Sequence, residues 1–286
     1  MFSHQTGRLR SALVAAVLCT LSIAADASTF EIHHHHPANE EAISAASQGG
    51  VLVRDLPLAD GGFQRVLYDA PPSEPRGIIV MFPGGADDIG IEKDGVIKHG
   101  DNFVVRSRDL WKAKGYGVVL VDAIDHESMR GKRSTAAYAE VTREIVAFAH
   151  EQANVPVWVM GTSQGSIAAM NAASHEKGSR LAGVILTESV SILGASHETV
   201  FDAHPDDVHV PALVVANKDD QCWVAPPSMA DAIAKSMRNT HSTVIFVQGG
   251  TAHSSNQCAS LSPHGYYGIE GEVVDAIAGW MEHAGA

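Results

Sequence analysis

The chain has 286 residues, of which 45% are hydrophobic and 19% are charged, and its formal net charge is −13. This length and composition suit a globular protein with a large core, and they exclude fibrous and wholly disordered proteins. The negative charge argues against nucleic acid or an anionic membrane surface as a partner.

The first 27 residues have the features of a secretory signal peptide. Arg8 and Arg10 precede an apolar stretch over residues 11–25, and residues 25–27 form an A-x-A cleavage pattern. The stretch is shorter than the ~20 residues of a membrane-spanning helix. We therefore expect cleavage after Ala27 and a periplasmic or secreted protein without a membrane span. Cleavage would change the net charge from −13 to −14, because two arginines and one aspartate leave.

Residues 28–50 show no periodicity, which predicts a flexible linker. The linker contains four adjacent histidines, namely His33, His34, His35 and His36. Such a run can bind zinc weakly, but no cysteine pair accompanies it, so we expect no dedicated metal site. Cys19 falls in the signal segment. Cys222 and Cys258 are then an even pair in an exported protein, which predicts a disulfide.

From residue 51 a hairpin is followed by alternating strand and helix patterns. Strands are predicted at 51–56, 63–68, 77–82, 117–121, 155–160, 181–187, 211–216 and 243–247. Helices are predicted from soon after residue 101 to 114 and at 134–152, 163–175, 226–237 and 269–281, with Ser134 as an N-cap. Residues 188–210 leave room for one or two helical turns. This order predicts one α/β domain over residues 51–286, with a mostly parallel eight-stranded sheet, helices on both faces and no large lid.

A G-x-S-x-G pattern lies between the fifth predicted strand and the helix that follows it, at Gly161, Ser163 and Gly165. In this context the pattern predicts a nucleophile elbow, a tight turn that exposes a serine hydroxyl beside a helix N-terminus. The glycines leave the space that such a turn needs. Ser163 is therefore the candidate nucleophile, and the N–H of Gln164 is a candidate oxyanion donor.

A nucleophilic serine needs a base, and the base needs an orienting carboxylate. Asp219 and Asp220 follow the seventh predicted strand, and we favour Asp220. Glu188, after the sixth strand, is a further candidate. Two histidines follow the eighth strand, His253 and His264, and chain order alone does not separate them.

These residues resemble the alpha/beta-hydrolase superfamily, and within it the small exported proteins similar to dienelactone hydrolases. The resemblance covers residue 51 to the C-terminus and is strongest at 161–165, 219–222 and 258–270. In that group the histidine before Gly-Phe or Gly-Tyr is the base, which implies His264. The loop at 82–86 resembles the glycine-rich oxyanion loop of lipases and esterases, with Phe-Pro in place of the leading histidine. It implies Gly85 or Ala86 as the second donor, and we favour Gly85.

The sequence thus predicts an exported serine hydrolase that cleaves carboxylic esters or lactones of small molecules, without a metal or an organic cofactor. A serine peptidase or amidase, and a non-catalytic binding protein on the same fold, stay open as alternatives. Four residues near predicted strand ends are weaker candidates for lining the substrate pocket, and a loop or packing role is favoured for each of them: Asp122, Asp125, His126 and Trp223.

Overall fold

The computed structural model describes residues 50–59, 61–176, 178 and 180–284. The predicted signal peptide, the predicted linker up to residue 49 and its four histidines lie outside the described residues. In the described ranges, no helix combines the length and the apolar composition needed to cross a membrane.

Eight strands form one mixed sheet in the described part of the chain. They are β1 (Val51–Pro57), β2 (Phe63–Asp69), β3 (Gly77–Phe82), β4 (Tyr116–Val121), β5 (Val157–Thr162), β6 (Gly183–Thr187), β7 (Ala212–Asn217) and β8 (Ser242–Val247). The order across the sheet is β1-β2-β4-β3-β5-β6-β7-β8. β2 is antiparallel to both β1 and β4, and the other neighbouring pairs are parallel. The predicted eight-stranded, mostly parallel sheet is confirmed.

Helices cover both faces of this sheet, as predicted. α1 (Phe103–Arg106), α2 (Arg108–Ala113) and α6 (Glu270–Met281) pack on one face. α3 (Ala136–Gln152), α4 (Gly165–Ser174) and α5 (Ala230–Ser236) pack on the other. Side chains alternate across a strand, so Ile78 joins the α3–α5 core while Ile79 joins the α1, α2 and α6 core. Every residue of β3 is buried, which explains its uninterrupted apolar sequence.

Several element ends differ from the prediction. β5 runs from 157 to 162 rather than from 155 to 160, because it continues alongside β3 until Phe82 pairs with Gly161. α3 is capped by Thr135, whose hydroxyl accepts the Tyr138 N–H at 3.2 Å, and not by Ser134. β6 begins at residue 183 rather than 181. The helix predicted at 226–237 is a 3₁₀ turn at Pro227–Met229 followed by the shorter α5.

The stretch between β6 and β7 holds two short 3₁₀ helices, Val200–Ala203 and Pro205–Asp207. This agrees with the prediction of one or two helical turns instead of a lid domain. Because β3, β5, β6, β7 and β8 run parallel, their carboxyl ends lie at one edge of the sheet, where loops can bring distant residues together.

Candidate active site

Ser163 lies on a turn that only glycine neighbours permit. The serine has a φ of 52°, in the left-handed region, and its N–H donates to the Thr187 carbonyl at 2.9 Å. A Cβ added at Gly161 would lie 2.1 Å from the Gly165 carbonyl oxygen. A Cβ added at Gly165 would lie 2.2 Å from the Phe82 carbonyl oxygen. The G-x-S-x-G pattern therefore reflects close backbone approach, and the strained turn holds Ser163 above the sheet edge.

The structure brings three of the predicted site residues together. Ser163 Oγ donates to His264 Nε2 at 2.9 Å, and His264 Nδ1 donates to Asp220 Oδ2 at 2.7 Å. His264 is 3% exposed and Asp220 is 6% exposed. Because the carboxylate accepts the hydrogen of Nδ1, Nε2 keeps a free lone pair. The imidazole is thus placed to take the proton of the serine hydroxyl.

Covalent and hydrogen-bonded links hold the acid and histidine loops in place. Asp220 Oδ1 accepts the Cys222 N–H at 2.7 Å. A disulfide joins Cys222 to Cys258, as predicted, and so ties the acid loop to the loop that leads to the histidine. Asn217, the last residue of β7, donates from Nδ2 to the Pro263 carbonyl at 3.0 Å. The acid and the base therefore share supports that are independent of the bond between them.

The alternative acid and base from the sequence lie elsewhere. Asp219 is exposed, and its Oδ2 accepts the Gly249 N–H at 2.9 Å, so it holds a loop. His253 is also exposed and packs edge-on against Tyr267 with 4.8 Å between the ring centroids. Neither side chain lines the cavity around Ser163.

Glu188 is buried behind the acid. It follows β6 with a φ of 42°, and its Oε1 accepts the Asn217 N–H at 2.7 Å. A carboxylate oxygen of Glu188, a carboxylate oxygen of Asp220 and a ring nitrogen of His264 all lie within 4.8 Å of one another. Burial, reinforced by the negative charge of Asp220, raises the pKa of Glu188 well above its usual value. A second, buried carboxyl group thus stands behind Asp220, a feature that sequence order alone does not indicate.

A cavity of about 420 Å³ opens above Ser163. Gln164, at the start of α4, and Gly85, with a φ of 71° in the loop after β3, both line it. Ala86 does not line it. Trp223 lines the cavity and is 61% exposed, whereas the sequence favoured a loop or packing role for it.

The other three candidates organise loops, which is the role that the sequence favoured for them. Asp122 is buried, and its carboxylate accepts four main-chain N–H groups, those of Ile89, Gly90, Ile91 and Ala123. Asp125 accepts the Phe63 N–H at 3.2 Å. The exposed His126 lies 3.4 Å from Asp88. Ligand atoms of Asp88, Asp122 and His126 lie within 4.8 Å of one another, but the amide groups already engage both oxygens of Asp122.

Sequence reasoning also missed Arg133, which is fully buried beside the cavity wall. Its guanidinium contacts both Gly85 and Gln164. No motif marks this residue, because an arginine just before a helix is ordinarily a solvated side chain.

No family model matches the chain, and neither does any curated protein. Solved structures do match. Est1E from Butyrivibrio proteoclasticus is 16% identical, with a TM-score of 0.56 over 81% of this chain and 98% of that one. Another structure of Est1E holds ferulic acid. An alpha-beta serine hydrolase homologue from Coxiella burnetii is 14% identical, with a TM-score of 0.54 over 79% of this chain and 94% of that one. A protein assigned as a dienelactone hydrolase from Klebsiella pneumoniae subsp. pneumoniae is 11% identical, with a TM-score of 0.53 over 82% of this chain and 99% of that one.

The chain has the alpha/beta-hydrolase fold. In this fold a nucleophile, an acid and a histidine follow in that order along the chain, each after a strand of the central sheet. Ser163 follows β5, Asp220 follows β7 and His264 comes after β8. The alpha/beta-hydrolase fold thus accounts for how residues more than 100 positions apart meet at one sheet edge.

Proposed function

We propose that this protein is an exported serine hydrolase that cleaves carboxylic esters or lactones. The observation that carries the proposal is the continuous hydrogen-bonded chain from Ser163 through His264 to Asp220, with distances of 2.9 and 2.7 Å. A hydroxyl alone is a weak nucleophile, and a neighbouring base with an oriented imidazole activates it.

In the first half of the reaction, Ser163 Oγ attacks the carbonyl carbon of the ester while its proton moves to His264 Nε2. Asp220 stays ionised, accepts a hydrogen bond from Nδ1 and stabilises the imidazolium that forms. The tetrahedral intermediate then collapses. The C–O bond to the alcohol breaks, and His264 gives its proton to the leaving alkoxide, so that an acyl-serine and a free alcohol result.

In the second half, water attacks the acyl-serine and gives one proton to His264 Nε2. Collapse of the second tetrahedral intermediate releases the carboxylic acid, and the proton returns to Ser163 Oγ. Each cycle therefore consumes one water and restores the enzyme, and every proton transfer uses a side chain already in place.

Both intermediates carry a negative oxygen that needs preorganised donors. We assign the main-chain N–H of Gln164 as one donor, because it directly follows the nucleophile at the start of α4. The loop containing Gly85 lies across the same cavity and supplies the second. Loss of one such donor typically raises the barrier by about 3–4 kcal/mol.

Three further observations support the proposal. Two proteins of the same fold are named as an esterase and an arylesterase, and Est1E has been observed with ferulic acid, so esters of aromatic acids belong in a substrate screen. The cavity of about 420 Å³ suits a small-molecule ester. Export to the periplasm or the medium is supported by the predicted signal peptide and by the disulfide, which oxidising compartments favour.

The proposal is tested with wild-type protein and two serine variants in p-nitrophenyl acetate hydrolysis and in fluorophosphonate labelling. Ser163→Ala should lower kcat by about 10⁴-fold or more and abolish labelling. Ser196 is the matched control, because it lines the same cavity but its hydroxyl donates to the Glu198 carbonyl at 2.6 Å. Ser196→Ala should keep both labelling and turnover.

The outcomes separate the alternatives. Turnover that survives Ser163→Ala would refute the assignment of the nucleophile. Cleavage of p-nitroacetanilide in preference to the ester would favour an amidase or peptidase. Folded wild-type protein that neither turns over nor takes the label would favour a non-catalytic binding protein.

A further inference from the structure

Arg133 lies between the two segments that form the proposed oxyanion hole, namely the loop after β3 and the start of α4. Its side chain is completely shielded from solvent. Nη2 donates to the Gly85 carbonyl at 2.8 Å, and Nη1 donates to Gln164 Oε1 at 3.2 Å. One guanidinium therefore contacts the loop after β3 and the residue after the nucleophile at the same time.

The contact with Gly85 restrains the loop after β3. The Gly85 carbonyl accepts from the buried arginine, so the backbone of a residue that lines the cavity is held from behind. Gly85 itself has a φ of 71°, a conformation that glycine adopts readily. Because glycine is conformationally permissive, its backbone needs a restraint to keep one conformation. The hydrogen bond from Arg133 supplies that restraint.

The contact with Gln164 acts on the other half of the hole. Gln164 directly follows Ser163 in the elbow, and its side chain makes no cap for α4. Its amide oxygen instead accepts from Arg133. This bond joins the elbow to the loop after β3 through a planar fork whose donors have a fixed spacing.

Arg133 is itself held firmly. Nε donates to Asp87 Oδ2 at 2.9 Å. Its main-chain N–H donates to Glu198 Oε1 at 3.1 Å, and the next N–H, that of Ser134, donates to Glu198 Oε2 at 2.8 Å. Burial raises the pKa of Asp87 to about 6, although the positive charge of Arg133 opposes this rise.

A buried ion pair of this kind is a poor stabiliser of a fold, because desolvation of both charges offsets their attraction. Apolar side chains would fill the same space at least as well. What an apolar side chain would not do is donate to Gly85 and Gln164 together. The contacts of the pair therefore favour a role in geometry over a role in stability.

We propose that Arg133 is a positioning residue that holds the two halves of the oxyanion hole at the spacing a tetrahedral oxyanion needs. The inference rests on the proposed ester hydrolysis. Oxyanion donors lower the barrier because they are in place before charge develops, and they act on the transition state more than on the bound ester. Loosening them should lower kcat and leave KM nearly unchanged.

The test compares Arg133→Lys with Arg65→Lys. Lysine keeps the positive charge but loses the fork. Arg65 is the matched control, because it is also nearly buried, pairs with Asp55 through two bonds of 2.6 and 2.8 Å, and donates to the Ile91 carbonyl at 3.0 Å. It does not line the cavity. Both variants lose similar hydrogen bonds, so a purely structural role predicts similar effects.

For Arg133→Lys we expect kcat with p-nitrophenyl acetate to fall about 10- to 100-fold with KM within about threefold. Inhibition by phenylboronic acid, which forms a tetrahedral adduct with the serine, should weaken by a similar factor. Arg65→Lys should change both quantities less than about twofold, even if both variants lower Tm. Equal kcat in the two variants would overturn the inference.

A second variant covers the case in which Arg133→Lys does not fold. Gln164→Leu removes the acceptor for Nη1 while keeping the main-chain N–H of the proposed oxyanion donor. It should lower kcat about 3- to 30-fold at unchanged KM, and full activity in this variant would overturn the inference. Wild-type protein without any esterase turnover would instead refute the proposed function, and the inference would fall with it.

Discussion

Removal of the Cys222–Cys258 disulfide should destabilise the fold by about 4 kcal/mol. The bridge joins residues 36 positions apart. In the chain-entropy treatment such a loop lowers the entropy of the unfolded chain by roughly 13 cal/mol/K, which is about 4 kcal/mol at 25 °C. For domains of about 150–250 residues, 1 kcal/mol corresponds to roughly 2–4 °C in Tm. We therefore expect the melting temperature to fall by about 8–16 °C.

The loss should reach the active site as well as the fold. Cys222 is buried, and its N–H donates to Asp220 Oδ1 at 2.7 Å. Cys258 precedes His264 on the facing loop, so the bridge limits the relative motion of the acid and the base. Without it, Asp220 should orient His264 less well, and kcat with p-nitrophenyl acetate should fall more than KM rises.

The assay is thermal unfolding, followed by circular dichroism, of the wild type with and without dithiothreitol and of the Cys222→Ala/Cys258→Ala variant. Alanine leaves no polar atom at the buried position. Reduced wild type and the variant should melt at similar temperatures, and the variant should not respond to the reductant. If mass spectrometry confirms two free thiols and Tm is unchanged, the entropic reasoning is refuted.

The remaining predictions concern the acid, the base and the buried glutamate. Asp220→Asn should lower kcat by on the order of 10⁴-fold, because an amide no longer holds the imidazole in the required tautomer; Asp219→Asn, in an exposed loop, should stay within about threefold. His264→Ala should lower kcat by at least about 10³-fold and His253→Ala by less than about twofold, and the reverse ranking in the same esterase assay would assign the base to His253. Because burial raises the pKa of Glu188 above its usual 4.5, the folded protein keeps a proton that the unfolded chain releases. The unfolding free energy of the wild type should then fall relative to that of Glu188→Gln as the pH rises above that value. Urea titrations of both proteins at about pH 5 and about pH 8 measure this. A difference in unfolding free energy that is the same at both pH values would contradict the prediction.

The parts of the fold that local patterns determine could be predicted from the sequence. A continuous apolar run such as β3 indicates a strand buried on both faces. The elbow was also predictable, because its two glycines and the serine form a short pattern directly after a strand. Gly161 is required by a contact with Gly165, whereas Gly165 is required by a contact with Phe82 on β3. The order of strands along the chain placed the acid and histidine loops at the same sheet edge, which left three candidates for the acid and two for the base.

Tertiary contacts decide the rest. Asp219 and Asp220 are adjacent and chemically identical, and they differ only in which side of one turn each carboxylate faces. No sequence pattern states that direction. Glu188 and Arg133 owe their roles to partners 29 to 48 residues away, so their significance is visible only once the chain is folded. The observed ends of strands and helices differ from the predicted ends for a similar reason. Strand pairing and helix capping depend on the residues that pack beside each element in the fold.

Three buried ionisable groups lie behind the two halves of the proposed catalytic apparatus. Arg133 and Asp87 lie behind the loop after β3, and Glu188 lies behind Asp220. Within the described residues, Asp87 Oδ1 is buried without a hydrogen-bond partner, and such a group typically costs about 1–3 kcal/mol. The two apolar cores on either side of the sheet supply the stability that offsets this cost. Arg133 contacts Gly85 and Gln164, and Glu188 accepts the Asn217 N–H, so these groups hold loops that carry the site. We infer that this geometry is kept at the expense of stability.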